Sequence, residues 1–205
     1  MRVAVVGANG KIGQQLVDLL HNDAEHEAVA LVRKEAQQKQ WQDKGVEARL
    51  ADLEGTVAQL ADALVGVDAI AFTAGSGGNS GDDKTLLVDL DGAVKTMEAA
   101  QAAGIKRFVM VSAWQANNRE NWADELKPYY AAKHYADREL MRSDLEWTIV
   151  RPGALTDDQG SGRVDIGEHL PAGKIPREDV AHVLLGCLTT DGMVGKAFDV
   201  IAANT

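Results

Sequence analysis

Tyr129 and Lys133 stand four residues apart, just after Pro128, in a stretch that reads as helix. On a helix that spacing puts both side chains on one face. A free tyrosine phenol titrates at about 10, too high for easy proton exchange at neutral pH. A neighbouring ammonium favours the phenolate and lowers that value. Tyr129 is therefore the candidate acid or base, with Lys133 tuning it. Tyr130 also lies near the helix start, but only three residues before Lys133, and is the weaker candidate. Ser112 follows the apolar run Arg107 to Val111 (RFVMV), where its hydroxyl can orient a substrate oxygen.

A second constellation opens the chain. Gly7-Ala8-Asn9-Gly10-Lys11-Ile12-Gly13 lies directly between an apolar strand, RVAVV, and a helix. In that context each glycine has a physical task. Gly7 allows a tight turn, Gly10 lets backbone approach a pyrophosphate, and Gly13 lets the helix pack closely on the strand. The helix N-terminus then offers free N–H groups and partial positive charge to phosphates. Asn9, Lys11 and Ile12 complete the loop. The pattern is not a Walker A loop, because Ile12 follows Lys11 and no glycine stands at Val5.

The end of the second strand bears on the choice of dinucleotide. An acidic residue there would accept from NAD ribose hydroxyls. Here Arg33 and Lys34 stand about 20 residues past the loop, and a guanidinium fork grips a 2′-phosphate. NADP(H) is expected over NAD(H), which remains possible. Asp52 and Leu53 end the third strand, where Asp52 can accept from an adenine amino group. Thr73, Ala74 and Gly75 end the fourth, where small residues leave room for a cofactor.

The elements that must position these residues alternate along the chain. Strands are expected at 2–6, 28–32, 46–50, 68–73, 107–111, 146–150 and 197–201. Helices are expected at 11–20, 57–64, 83–103, 128–142 and 177–188. Near-continuous apolar strands separated by helices imply an α/β fold of Rossmann type, a doubly wound parallel sheet with helices on both faces. The stretch 75–81 (GSGGNSG) reads as a flexible loop.

Composition agrees with a globular chain. Of 205 residues, 45% are apolar and 25% charged. The expectation is one NAD(P)-binding domain over 1–205, with a small substrate-side portion from about 152 to 205. A formal charge of −10 argues against nucleic acid as a partner. No apolar run approaches the roughly 18 residues of a membrane helix, and no signal peptide is visible. The single cysteine, Cys187, sits at helical spacing from Val183 and reads as core. A cytoplasmic protein with a small-molecule substrate, as monomer or homodimer, is expected. The five histidines show no metal-ligand spacing, so no metal is expected.

Several segments together resemble the short-chain dehydrogenase/reductase superfamily. They are GANGKIG at 7–13, LVRK at 31–34, ADLEG at 51–55, the helix and strand at 88–113, YYAAK at 129–133, TIVRPGALTD at 148–157 and IPREDVA at 175–181. The match is to the atypical short branch, similar to NmrA-like and biliverdin/flavin-reductase-like proteins. It implies that Gly7, Gly10 and Gly13 hold the pyrophosphate and Arg33 the 2′-phosphate. It implies that Asp52 and Leu53 flank adenine, and that Ser112, Tyr129 and Lys133 form the catalytic set, with Lys133 also at the nicotinamide ribose. Pro152, Gly153, Ala154 and Leu155 would wall the nicotinamide, and Arg177 would begin a helix on the substrate side.

Only about 50 residues follow the RPG segment, too few for the substrate part of a sugar-nucleotide epimerase. The turn Ser112-Ala113-Trp114 lacks the acidic pair of a dehydratase. The leading expectation is an NADP(H)-dependent oxidoreductase acting on a small carbonyl, quinone-like or flavin-like compound. A non-catalytic NADP(H) sensor and a cofactor-retaining epimerase or isomerase stand behind it.

Overall fold

Among the described residues ten strands build the frame: β1 (Arg2–Val6), β2 (Glu27–Val32), β3 (Glu47–Leu50), β4 (Ala69–Phe72), β5 (Arg107–Val111), β6 (Glu146–Pro152), β7 (Ala154–Thr156), β8 (Val164–Gly167), β9 (Lys174–Pro176) and β10 (Lys196–Ala202). Eight of them form a single sheet in the order β3-β2-β1-β4-β5-β6-β10-β8. All neighbours run parallel except β8, which pairs antiparallel with β10 at the edge. β7 and β9 make a separate two-stranded parallel ribbon. The computed structural model describes residues 1–77, 81–190 and 192–203. Of the glycine-rich stretch expected as a loop, 78–80 lie outside the described residues.

The helices are α1 (Lys11–His21), α2 (Glu35–Asp43), α3 (Val57–Ala63), the single turn α4 (Asp82–Lys84), α5 (Gly92–Ala102), α6 (Lys127–Arg142) and α7 (Arg177–Thr189). Alternation along the strands sorts side chains onto two faces. Val3 and Val5 pack with Leu16 of α1 and Leu184 of α7. Ala4 and Val6 join Leu60 of α3, Met97 of α5 and Leu140 of α6 on the other face. Phe72 and Phe108 stack there, ring centroids 6.4 Å apart, each fully buried. Such a side chain contributes about 2 kcal/mol of burial. Both sheet faces are thus covered, as the apolar strands required. Cys187 is core, and burial pushes its thiol up to about 11.

The structure departs from the sequence expectations in three places. The run expected as one helix over 83–103 contains a π-helical segment, Thr85–Asp91, between α4 and α5. Helix α2 was not expected, because its sequence EAQQKQWQD buries only Trp41 and has no apolar period. The short strands β7, β8 and β9 carry too few residues for a readable alternation. Among the described residues no helix is long and apolar enough to cross a membrane.

The strand order reverses direction between β1 and β4. At such a switch point the connections leave to opposite faces and a crevice opens beyond the carboxyl ends of the strands. The loops after β1 and β4, carrying Gly7 to Gly10 and Thr73 to Ser76, lie there.

Candidate functional site

The crevice is held open by close backbone packing. Gly7 has φ +84°, and a Cβ there would lie 2.7 Å from the backbone nitrogen of Ala74. A Cβ on Gly13 would lie 2.3 Å from the Gly7 carbonyl oxygen and 2.9 Å from Thr73 Oγ1. Gly13 is therefore a packing glycine that seats α1 against the β1 and β4 loops. Thr73 locks the other side, donating from both N–H and hydroxyl to the Val6 carbonyl at 2.9 Å. Gly10 caps α1 without a side chain, so the first N–H groups of the helix stay available.

A cleft of about 480 Å³ follows from this arrangement. Gly7, Asn9 and Gly10 line it on one side, Arg33, Asp52 and Leu53 on another. Thr73, Ala74 and Gly75 close it from β4. Arg33 is exposed and makes no ion pair among the described residues. Lys34 turns into the start of α2 and is not on the wall. Ile12 is core. Lys11 is off the wall too, its ammonium paired with Asp157. These positions fit a dinucleotide: bare backbone and a helix N-terminus for the pyrophosphate, an unpaired guanidinium at the far end, an apolar shelf at Leu53.

A second cavity of about 390 Å³ lies at the ends of β5 and β6. Ser112, Tyr129, Pro152, Gly153, Ala154 and Leu155 all line it. Residues far apart in sequence, chosen for separate reasons, thus share one wall. Gly153 is needed there, since a Cβ would meet the Gly173 carbonyl oxygen at 2.5 Å. The Ser112 hydroxyl is buried, and its hydrogen bonding to the Asp137 carboxylate works against the rise that burial gives that acid. Pro128 starts α6 within its first turn and so presents Tyr129 to the cavity.

Lys133 does not line that cavity. Its ammonium is buried beneath it, 3.2 Å from Asp89 Oδ1 and 3.4 Å from the Val111 carbonyl. It lies 5.8 Å from the centre of the Tyr129 ring. Burial works against its charge, but Tyr129, Asp89 and Asp137 outweigh burial and hold its pKa above the ordinary value. The expected lowering of Tyr129 is reversed. Lys133 pulls the phenol down, yet burial pushes it up by more, with Asp89 and Asp137 adding to the rise. Tyr129 therefore keeps its proton at neutral pH, as a donor must.

Three charged residues escaped the sequence reading. Asp89 comes from the π segment, is 1% exposed, and also accepts from the Ser76 N–H at 2.9 Å. Asp137 follows Lys133 by one further helical repeat of four and pairs with Arg151 of β6 at 2.9 Å, both buried. With Lys133 they form a buried cluster of two cations and two anions. The usable signal was the charge placed inside apolar runs: Asp89 within LLVDL, and Arg151 within TIVRP.

A family described as NAD(P)H-binding matches residues 7–191, spanning both cavities. The chain belongs to this family. It is 53% identical, over all of its length and 96% of the other, to a Bacillus subtilis protein named "Uncharacterized sugar epimerase YhfK". The crystal structure of the Lactococcus lactis oxidoreductase ylbE superimposes with a TM-score of 0.90 at 36% identity, covering all of this chain and 92% of that one. ChuY, an anaerobillin reductase from Escherichia coli O157:H7, shares the fold at 20% identity with a TM-score of 0.87, covering all of this chain and 98% of that one. The expected Rossmann-type fold and dinucleotide-binding class hold, among neighbours named as reductase, oxidoreductase and epimerase.

Proposed function

We propose that this protein is an NADP(H)-dependent reductase of a small carbonyl, quinone-like or flavin-like compound. The observation that carries the reading is the shared wall of Ser112, Tyr129 and Pro152 to Leu155 at the strand ends, on a chain of an NAD(P)H-binding family. When bound, the cofactor supplies a hydride from its nicotinamide. Arg33 grips the 2′-phosphate with its fork, and the α1 N-terminus holds the pyrophosphate. The Ser112 hydroxyl, on the cavity wall, binds the substrate oxygen. Tyr129 gives that oxygen its proton, and the buried positive charge of Lys133 stabilises the phenolate left behind.

The reading is tested by calorimetric titration with NADPH, NADP+, NADH and NAD+, beside Arg33→Ala. Selective binding of the phosphorylated pair, weakened at least tenfold in the variant, is expected, in line with losing about 1.5–3 kcal/mol of charged hydrogen bonding. Equal affinity for all four refutes the NADP(H) preference. With a substrate in hand, Tyr129→Phe lowers kcat while cofactor binding stays unchanged, and undiminished turnover refutes the role of Tyr129.

A second reading, an NADP(H)-binding redox sensor, is favoured by one observation: Lys133 is engaged by Asp89 below the cavity rather than on its wall. It predicts tight cofactor binding and no turnover on any acceptor.

A further inference from the structure

We propose that the Tyr129 cavity takes a flat conjugated compound bearing a carboxylate, and that Arg177 anchors this carboxylate in exchange for Asp157. The proposal rests on the reductase reading of the same cavity and specifies its substrate class.

The cavity is walled by Trp114, Leu126, Tyr130 and Leu155, surfaces suited to a flat apolar body. Trp114 is pinned by its indole N–H to the Leu170 carbonyl at 2.9 Å, and Tyr130 stacks on Trp122 with centroids 5.9 Å apart. The aromatic walls are therefore preset. Among the described residues lining this cavity, Arg177 carries the only formal charge. The acids beside it are turned away and satisfied. Glu178 accepts from the Gly160 N–H at 2.8 Å, and Asp179 from Ser161 and Gly162 at 3.1 and 2.9 Å.

Arg177 already holds a carboxylate. Its Nη1 donates to Asp157 Oδ1 at 2.6 Å, and the other oxygen of Asp157 pairs with Lys11 of the phosphate loop. The Arg177 side chain is 23% exposed but that of Asp157 is 58% exposed. So wet a pair is weak. A carboxylate arriving on an apolar body would meet the same guanidinium with less water around it, where a charged hydrogen bond is stronger. Asp157 is not orphaned by the exchange, because Lys11 keeps it. The chain's net charge of −10 repels anions generally, so one local cation decides whether a carboxylate is accepted. A lone guanidinium, already in a carboxylate's company, matches a carboxylate better than a phosphate, which calls for several donors.

The test uses the full-length protein saturated with NADP+, so that no probe can enter the cofactor cleft. The probes are anthraquinone-2-carboxylate and its neutral twin anthraquinone-2-carboxamide, titrated calorimetrically. The carboxylate should bind about tenfold tighter, the worth of one charged hydrogen bond. Arg177→Gln should erase that preference, Arg177→Lys should retain part of it, and Asp157→Asn should raise carboxylate affinity. The lysine variant reports on the anchor even where the glutamine variant fails to fold. Equal binding of the two probes, failure of both to bind, or a preference that survives Arg177→Gln overturns the proposal and leaves the reductase reading standing. Failure of NADP+ itself to bind overturns the reductase reading, and the substrate assignment with it.

Discussion

Replacing Asp89 with asparagine isolates one charge in the buried cluster. The side chain keeps its shape, opens no cavity, and still offers the Ser76 N–H an oxygen. What disappears is the carboxylate 3.2 Å from an ammonium that is 5% exposed. Removing one partner of a buried ion pair costs about 3–5 kcal/mol, and the lower end, about 3, applies because Asp137 still faces Lys133. The pH dependence is the sharper signature. In the wild type the Lys133 pKa is raised, so its stabilisation is fully present below the ordinary value of 10.5 and is lost only as pH rises through the still higher folded value. With Asp89 neutralised, burial is opposed only by Tyr129 and Asp137, so the folded pKa of Lys133 drops from its raised position. The variant therefore has less of this stabilisation to lose as pH rises past 10.5. Urea unfolding of both proteins across the alkaline range reads this directly: the deficit is largest near neutrality and shrinks with rising pH. A deficit under about 1 kcal/mol, or one that is constant with pH, refutes the assignment of Asp89 as the counter-charge of Lys133.

Two further perturbations address other parts of the frame. Gly13→Ala places a methyl 2.3 Å from the Gly7 carbonyl oxygen, an overpacking of about 1–3 kcal/mol, so thermal unfolding should shift downward and dinucleotide affinity should fall with it. An unchanged melting temperature contradicts the packing role. His134 is 6% exposed with Nδ1 2.9 Å from the Ala116 carbonyl, and burial lowers its pKa below 6.5. A depressed value means its stabilisation is present above pH 6.5 and is lost as pH falls through the folded value. His134→Gln should flatten the stability profile in that window, as measured by urea unfolding at stepped pH.

The fold was legible because its strands are buried on both faces and its helices carry a regular apolar stripe. The glycine loop was legible because strand, turn and helix follow in immediate succession, and Tyr129 because Pro128 marks the start of α6. Interactions between distant segments were not. Nothing in the sequence spacing joins Asp89 to Lys133, or Lys11 to Asp157 and Arg177, since those meetings depend on how three separate crossovers settle on the sheet. The direction of the Tyr129 shift was misjudged for a related reason: a positive neighbour can be read from spacing, but the depth of burial cannot. Helix α2 escaped because Trp41 is the one residue it buries, too little for a readable apolar stripe.

The π segment gives the chain an unusual kind of vulnerability. A wider turn spends one more residue than an α-helix over the same rise, so its presence is an offset in the numbering of the whole run from Asp82 to Ala102. Substituting Leu86 or Leu87, which are exposed, leaves that offset intact. Deleting either one removes that extra residue, so the run relaxes to an ordinary helix whose flanks stay in phase, and the change is confined to the residues of the wide turn. Asp89 lies within that turn, so its approach to Lys133 is what the deletion disturbs, while Met97 keeps its place in the core. In this stretch the length of the chain carries information that the identity of its exposed residues does not, and it should tolerate exchange far better than loss.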